Sequence, residues 1–297
     1  MRMTTIVDAH VHVWSPDHAR YPLAPGFAPE DPWLPSFTPD DHEQIVGDAL
    51  PMNLVQMTWY GLDHSYILDL IASDPDRFTG TGMVPAICDV SLASPERAMR
   101  DLAKSGIRAF RLRGRAAQPT REHATEEWLG HEGYQQMFAC AADEGLALSF
   151  LCATSDLHEI GRMCDRFPST TVILDHCGGL RVRDGNIDSD DLRLLLSLAQ
   201  YPEVHVKFGP VHALGDPAGG DQQIPFADTL PLLRAIVSLY GARRVLWESD
   251  LGGPVLMRQP PRDLAGCVAL VRDHADFLSA EDRQLILADN ARRLLWA

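Results

Sequence analysis

The 297-residue sequence lacks any apolar run long enough to cross a bilayer and has no N-terminal segment typical of a secretion signal. Its six cysteines show no CxxC spacing, which argues against a disulfide framework and against a zinc knuckle. Basic residues are scarce: 26 Lys and Arg face 41 Asp and Glu, and the net charge of −15 disfavours a nucleic-acid partner. We therefore expect a cytoplasmic protein that binds neither nucleic acid nor membrane.

Hydrophobic residues make up 45% of the chain, enough to bury a large core. No internal repeat or linker divides it, so residues 1–297 are predicted to form a single domain. Short apolar runs alternate with amphipathic segments, the pattern of a parallel α/β sheet. Eight strand–helix units fit a closed (β/α)8 TIM barrel, which spans about 250 residues. An open, doubly wound sheet is the alternative.

Two segments fall outside the repeating units. Residues 15–37 follow the first strand and are rich in proline and aromatic residues, which excludes a regular helix or a central strand. A long ordered loop in a compact domain is often functional, so this one is a candidate lid over a pocket. At the other end, residues 264–296 predict extra C-terminal helices.

The first strand ends in two histidines. His10 and His12 are two residues apart, so their side chains should leave the strand on the same face. Two imidazoles at the carboxyl end of a strand can bind a divalent metal or polarise a carbonyl group. The alternative is a pair of ordinary hydrogen-bonded histidines near the mouth of a barrel.

Other strands of the predicted barrel also end in residues that can bind or react. The carboxyl ends of all strands meet at one mouth, so these residues should converge although they are far apart in sequence. They are Thr58, Trp59 and Tyr60 (second strand), Arg111 and Arg113 (fourth), His176 (sixth), Lys207 (seventh) and Asp250 (eighth).

The two arginines predict an acidic small-molecule substrate. Arg111 and Arg113 share a strand face, and guanidinium groups bind carboxylates through two parallel hydrogen bonds. Ordinary ion pairing at the surface is the alternative for each of them.

Three further residues have open roles. Trp59 and Tyr60 either line the substrate pocket or belong to the core. Lys207 ends an apolar strand, where a buried ammonium group needs a partner. It either contacts substrate or pairs with an acid such as Asp175 or Glu248.

The remaining histidines are assigned no catalytic role. His205 alternates with valines inside the seventh strand and is predicted to be a packed structural residue. His42 is predicted to be solvated. His64 is kept as a candidate because it follows Tyr60 closely.

Several short motifs resemble those of the amidohydrolase superfamily, in its amidohydrolase-2 branch of TIM-barrel hydrolases. They are Val-Asp-Ala-His-Val-His at 7–12, Leu-Asp-His-Cys-Gly-Gly at 174–179, Glu-Ser-Asp at 248–250 and Asp-Asn-Ala-Arg-Arg-Leu-Leu at 289–295. Within that branch the chain looks most like the lactonases that open sugar lactones and 2-pyrone-4,6-dicarboxylate.

The resemblance implies a metal site made of His10, His12, His176 and Asp250. Three neutral ligands and one carboxylate suit a single zinc or manganese ion, although a metal-free site, as in the dicarboxylate lactonase, is the alternative. A binuclear centre is not expected. The fifth strand ends at Cys152, where many members have a histidine, and the fourth strand has no lysine to bridge two metals.

By the same resemblance, the expected activity is hydrolysis of a lactone or related cyclic ester. Asp250 would act as general base and His176 would help to polarise the carbonyl group. Two rival hypotheses remain: a metal-dependent decarboxylase of an aromatic or unsaturated acid, and a non-catalytic barrel that binds a small acid. The role of Glu248 stays open, and association into a homo-oligomer is possible.

Overall fold

A computed structural model describes residues 6–28, 30–32, 34–85, 94–118, 121, 123–183, 186–214, 226–253 and 264–296. Its strands are β1 (Asp8–Val11), β2 (Met52–Val55), β3 (Phe78–Gly82), β4 (Ile107–Arg113), β5 (Ala147–Leu151), β6 (Thr171–Leu174), β7 (Val182–Arg183), β8 (Asn186–Ile187), β9 (Val204–Phe208) and β10 (Val245–Trp247). Strands β7 and β8 form a small antiparallel hairpin.

The other eight strands form one parallel sheet in the order β1-β2-β3-β4-β5-β6-β9-β10. A parallel bridge between Val11 and Leu251, just after β10, connects the two ends of the sheet into a ring. The backbone N–H of His12 donates to the carbonyl of Leu251 at 2.8 Å across this seam. The predicted TIM barrel is therefore confirmed, with β9 and β10 as its seventh and eighth strands.

Helices follow the barrel strands, as the alternating pattern predicts. They are α1 (Pro39–Val46), α2 (Ser65–Ser73), α3 (Pro95–Ala103), α4 (Glu132–Glu144), α5 (Leu157–Arg166), α6 (Ser189–Ser197), α7 (Val211–Leu214), α8 (Leu230–Tyr240), α9 (Leu264–Ala269), α10 (Ala280–Gln284) and α11 (Asn290–Leu295). None of the helices in the described ranges combines the length and the apolar character that a membrane span needs.

The C-terminal helices close the amino-terminal end of the barrel. The amide of Asn290 donates to the carbonyls of Ala242 and Val245 at 2.7 and 2.8 Å, and the N–H of Val7 donates to Leu287. Small apolar side chains from these helices pack into the barrel interior against those of the strands. This cluster includes Ala9, Ala109, Ala147, Ile173, Leu246, Ala288, Ala291 and Leu295.

A polar layer lies above this apolar plug. Side chains two apart on a strand share a face, so the residues two positions beyond the plug also face the barrel interior. In four strands the step leads from Ala109 to Arg111, Ala147 to Ser149, Ile173 to Asp175 and Leu246 to Glu248. Along these four strands, the alternation of side chains therefore places a polar residue at the mouth directly above an apolar residue of the plug.

The loop after β1 is anchored at the same end of the barrel. Trp14 and Phe37 form an antiparallel bridge, with N–H to carbonyl distances of 2.7 and 3.0 Å. The Trp14 ring packs on Phe37 and, edge on, against Trp59, with ring centroids 5.6 and 5.1 Å apart. Ser15 donates its N–H to the Tyr60 hydroxyl at 2.9 Å. The loop is therefore fixed to the segment that follows β2.

Gly252 provides a test of how tightly the seam is built. Its φ is +78°, and a Cβ at this position would collide with the carbonyl oxygen of His12. Gly145 also has positive φ, +65°, but a Cβ there has nothing within 4 Å. We expect Gly145→Ala to lower the free energy of unfolding by about 1 kcal/mol, the strain of a left-handed alanine. Gly252→Ala should lower it by at least about 3 kcal/mol because a backbone collision is added.

Urea denaturation followed by circular dichroism measures both losses. Equal losses for the two variants would show that the seam can open at no extra cost.

Candidate active site

His12 presents a lone pair to the mouth of the barrel. Its Nδ1 lies 3.0 Å from the carbonyl oxygen of Val55. A carbonyl can only accept, so Nδ1 carries the hydrogen and Nε2 is left with its lone pair. The Nη1 of Arg111 lies 3.3 Å from that Nε2 and can donate to it.

His10 is oriented in the same sense. Its Nδ1 lies 3.1 Å from Glu248 Oε2, a buried carboxylate oxygen at ion-pair distance, and 3.3 Å from the Lys207 ammonium nitrogen. Its Nε2 lies 3.2 Å from the Nε2 of His12, and it presents a lone pair there when the hydrogen of the neutral ring is on Nδ1. The two rings meet edge to face, with centroids 4.9 Å apart.

Asp250 completes a group of three electron-pair donors. Its Oδ1 lies 3.6 Å from the Nε2 atoms of both His10 and His12. A point equidistant from the three atoms is about 2.0 Å from each, the length of a zinc–nitrogen bond. Three donors this close repel one another unless a cation or a proton lies between them. The chemistry and spacing of this trio therefore fit a divalent metal ion.

The backbone holds Asp250 in an uncommon conformation. Its φ is +55°, in the left-handed region that non-glycine residues rarely adopt. Its N–H donates to the carbonyl of His10 at 3.0 Å, which fixes the conformation against β1. A Cβ on Gly253 would come within 2.5 Å of the Asp250 Oδ1, so glycine leaves space for the carboxyl group.

His176 lies beside the trio and is held by Glu248. Its Nδ1 and its backbone N–H lie 2.7 and 3.0 Å from Glu248 Oε1. A second possible metal group, His10, His176 and Glu248, shares this region. However, Glu248 Oε1 and His176 Nδ1 are already engaged with each other in a short hydrogen bond. The predicted role of His176 as a metal ligand stays a prediction.

Burial and neighbouring charges shift the pKa values of these groups. Burial raises the pKa of Asp250 and the charge of Glu248 adds to the rise, which outweighs the opposing cations. Burial lowers the pKa of His176, but Glu248 and Asp250 reverse the effect and the net pKa is raised. Burial also raises the pKa of Glu248, yet His176 and His10 hold it well below its usual range. Asp250 is thus the carboxylate that most readily accepts a proton.

Lys207 pairs with Asp175, one of the two acids considered from the sequence. Its Nζ is buried and lies 2.9 Å from Asp175 Oδ1, which also accepts from the Ser149 hydroxyl at 2.7 Å. The Nε of Arg111 lies 3.6 Å from the other oxygen, Oδ2. Despite burial, the positive charge of Lys207 holds the pKa of Asp175 well below its usual range. A contact between Lys207 and substrate stays a prediction.

The two arginines have different surroundings. Arg111 is nearly buried, at 8% side-chain exposure, and lies between Asp175 and His12. Arg113, two residues further along β4, is exposed. Its side chain makes no ion pair or hydrogen bond with any residue in the described ranges, so its guanidinium is available for a ligand.

Trp59 and Tyr60 are buried in the short helical turn that follows β2, and both contact aromatic rings. The Trp59 ring packs edge on against Trp14, and the Tyr60 ring lies 6.3 Å from that of Tyr66. Their predicted contact with substrate stays a prediction. Nearby, His64 accepts from the N–H of Met83 at 2.9 Å and is buried, which gives it a structural role.

Two buried residues near the site, His42 and Asp8, are not identified by the sequence analysis. His42 was predicted to be solvated, and this is wrong: it is fully buried, with Nε2 3.1 Å from Asp8 Oδ2. The other oxygen of Asp8 accepts from the N–H groups of His10 and Ser249 at 3.2 and 3.0 Å, connecting β1 to the segment after β10. The spacing of Pro39 and His42, three apart on α1, is the pattern that indicates a shared buried face.

His205 is buried in β9, as predicted for a packed structural residue. Burial, with smaller contributions from Arg293 and Arg244, lowers its pKa to about 3. It is therefore neutral at physiological pH.

The Lys207–Asp175 pair can be tested by removing one of its charges or both. Lys207→Met should lower the free energy of unfolding by about 3 kcal/mol or more because it leaves Asp175 buried without its main counter-charge. The double variant Lys207→Met/Asp175→Asn should be more stable than Lys207→Met alone, since the remaining amide carries no charge. Lys104→Met, which breaks the exposed pair with Asp101, is the control and should leave stability unchanged.

Chemical denaturation of the four proteins measures these differences. A Lys207→Met variant as stable as the parent would mean that Asp175 needs no counter-charge.

Comparison with known proteins places this geometry in context. The Amidohydrolase family pattern matches residues 7–296. L-fucono-1,5-lactonase from Burkholderia ambifaria is 25% identical over 256 residues, which cover 84% of this chain and 80% of that protein.

Two solved structures share the fold. An amidohydrolase from Burkholderia multivorans with bound zinc has a TM-score of 0.74 and 20% identity, covering 98% of this chain and 99% of that one. A probable 2-pyrone-4,6-dicarboxylic acid hydrolase from Acinetobacter baumannii with bound citric acid has a TM-score of 0.73 and 16% identity, with the same coverage.

Proposed function

Because this chain belongs to the amidohydrolase family and is a hydrolase of that superfamily, we propose that it opens a lactone or related cyclic ester of a carboxylated substrate. The main support is that Asp250 Oδ1 lies 3.6 Å from the Nε2 atoms of both His10 and His12 at the barrel mouth. The similarity to a sugar lactonase supports the choice of ester over other hydrolysable bonds.

A divalent metal ion is part of the proposal. His10, His12 and Asp250 would hold it, and zinc is supported by the donor set and by the zinc in the related Burkholderia multivorans structure. When bound, the ion would act as a Lewis acid that polarises the lactone carbonyl and favours ionisation of water. Manganese and a metal-free site are the alternatives.

The protein's own groups account for the proton transfers. Asp250 removes a proton from the attacking water while the water oxygen bonds to the lactone carbonyl carbon. When the carbon–oxygen bond of the ring breaks, the same carboxyl group returns that proton to the leaving oxygen. The product is a hydroxy acid, whose new carboxyl group ionises and releases one proton to solvent. His176, with its raised pKa, can carry a proton on Nε2 and donate to the carbonyl oxygen as charge develops.

The arginines support an anionic substrate. Arg111 is already held between Asp175 and His12, so it can contribute positive charge near the reacting carbonyl group. Arg113 is exposed and unpaired within the described ranges, so it can bind a substrate carboxylate through two hydrogen bonds. The citric acid in the related Acinetobacter baumannii structure is consistent with this preference.

Replacing the general base tests the assignment of Asp250. Asp250→Asn keeps the size of the side chain but removes its ability to accept a proton. We expect kcat for lactone hydrolysis, followed by proton release, to fall about 10³-fold. Asp101→Asn, at an exposed carboxylate on α3, is the control and should retain full activity. Near-normal turnover by a folded Asp250→Asn variant would rule out this assignment.

Arg113 can be tested with matched substrates. For a carboxylated lactone, Arg113→Gln should raise KM by roughly 10- to 100-fold because a charge-assisted pair is lost. For a neutral lactone with the same ring, KM should hardly change. Arg108→Gln, on the opposite face of the same strand, should affect neither substrate. Equal effects of Arg113→Gln on both lactones would contradict carboxylate binding by this residue.

The same assays separate the rival hypotheses. Release of carbon dioxide from an aromatic or unsaturated acid would identify a decarboxylase. Tight binding of a small acid without turnover of any lactone or ester would identify a non-catalytic barrel. Placement in the cytoplasm and association into a homo-oligomer stay predictions.

A further inference from the structure

One buried carboxylate contacts two histidines from different strands. Glu248 is 1% exposed and lies in the polar layer directly after β10, two residues before Asp250. Its Oε2 lies 3.1 Å from His10 Nδ1, and its Oε1 lies 2.7 Å from His176 Nδ1. Oε1 also accepts from the backbone N–H of His176 at 3.0 Å. None of the roles described above uses this double contact.

Two groups, Glu248 and Lys207, compete for the Nδ1 of His10, and they favour different tautomers of its ring. Lys207 Nζ lies 3.3 Å from the same Nδ1 and can only donate a hydrogen bond to it. If Lys207 prevailed, the hydrogen of a neutral His10 would be on Nε2 and would point at His12 Nε2 and Asp250 Oδ1. The third candidate, Asp175 Oδ1, is 3.8 Å away and is already occupied by Lys207 and Ser149.

We propose that Glu248 is a positioning residue that keeps a hydrogen on Nδ1 of both His10 and His176, so that the Nε2 of each ring faces the reaction space. Carboxylates that accept from the far nitrogen of a metal-binding histidine fix its tautomer and raise its basicity. One side chain here sets two rings at once, across the seam between β10 and β1 and at the end of β6. The metal part of this inference rests on the proposed function, but the tautomer part does not.

The distances argue against Glu248 as a metal ligand. Its separation of 2.7 Å from His176 Nδ1 is that of a strong hydrogen bond. Oε1 accepts from the backbone N–H of His176 as well, and Oε2 lies 3.1 Å from His10 Nδ1, too far for both oxygens to serve one ion without breaking these contacts. Gly209 supports the arrangement, because a Cβ there would lie 2.7 Å from the Glu248 Cγ.

The variant Glu248→Gln gives an asymmetric expectation. The two donors of His176 call for an acceptor at the Oε1 position, so the glutamine carbonyl should take that place. Its NH₂ group then faces His10 Nδ1, where it can only donate. We therefore expect the His10 hydrogen to move to Nε2, whereas His176 keeps its hydrogen on Nδ1.

Nitrogen-15 NMR of histidine-labelled, metal-free protein measures these tautomers directly. The His10 resonance is assigned from its loss in His10→Gln. Wild-type protein should show Nδ1–H for His10, and Glu248→Gln should show Nε2–H. Zinc affinity of Glu248→Gln, measured by competition with a chelator, should fall about 10- to 100-fold. Glu159→Gln, at a buried glutamate that binds Arg162 and the Leu129 N–H, is the matched control and should change neither.

Two results would overturn the proposal. One is an Nε2–H tautomer for His10 in the wild-type protein, which can be observed whether or not the variant folds. The other is an unchanged His10 tautomer in folded Glu248→Gln. If wild-type protein shows the expected tautomers but binds no zinc and hydrolyses no lactone, the proposed function fails while the positioning role of Glu248 stands.

Discussion

The mouth of this barrel depends on mutual pairing of buried charges. Arg111, Asp175, Lys207, Glu248 and His10 are shielded from water, and an unpaired charge in such a place costs several kcal/mol. Each of them has an oppositely charged or hydrogen-bonding neighbour within 3.6 Å. Because these five residues lie on or directly after five different strands, the pairs can form only when the barrel is closed. The same contacts therefore hold the site together and set the direction of each imidazole.

The apolar layer at the bottom of the barrel accounts for the pairing of charges in the polar layer above it. Small apolar residues and the C-terminal helices fill the amino-terminal end, which keeps water from the lower side of the polar layer. Charges are then neutralised within the layer, with Lys207 on Asp175 and the histidines on Glu248. Arg113 lies above it, exposed and free of protein partners in the described part of the chain. In the proposed function, chemistry and substrate recognition would therefore occupy successive levels of the same mouth.

Much of this arrangement could be predicted because it follows from periodicity. Alternation of two along a strand places His10 and His12 on one face, and the rule that strand ends converge brings Asp250 to them. The sequence does not decide which acid pairs with Lys207, because Asp175 and Glu248 both lie in the polar layer. The relative heights of the strands in the barrel determine which of the two carboxylates is closer. The burial of His42 is indicated by its spacing from Pro39 on α1, but its partner, Asp8, lies on a different element and cannot be predicted from that spacing.

Other features depend on details that no pattern in the sequence reveals. Asp250 and His176 both have left-handed backbone conformations, with φ of +55° and +53°, without a glycine to mark the positions. The role of Glu248 also requires coordinates, since it depends on which nitrogen of each ring lies nearest to its oxygens.

In the proposed metal site, His10, His12 and Asp250 bind one divalent ion. X-ray absorption spectroscopy of protein loaded with one equivalent of zinc tests this ligand set. We expect one zinc per chain, with only nitrogen and oxygen neighbours at about 2.0–2.2 Å and the scattering pattern of two or more imidazoles. Absence of stoichiometric binding, or a sulfur neighbour at about 2.3 Å, would contradict it.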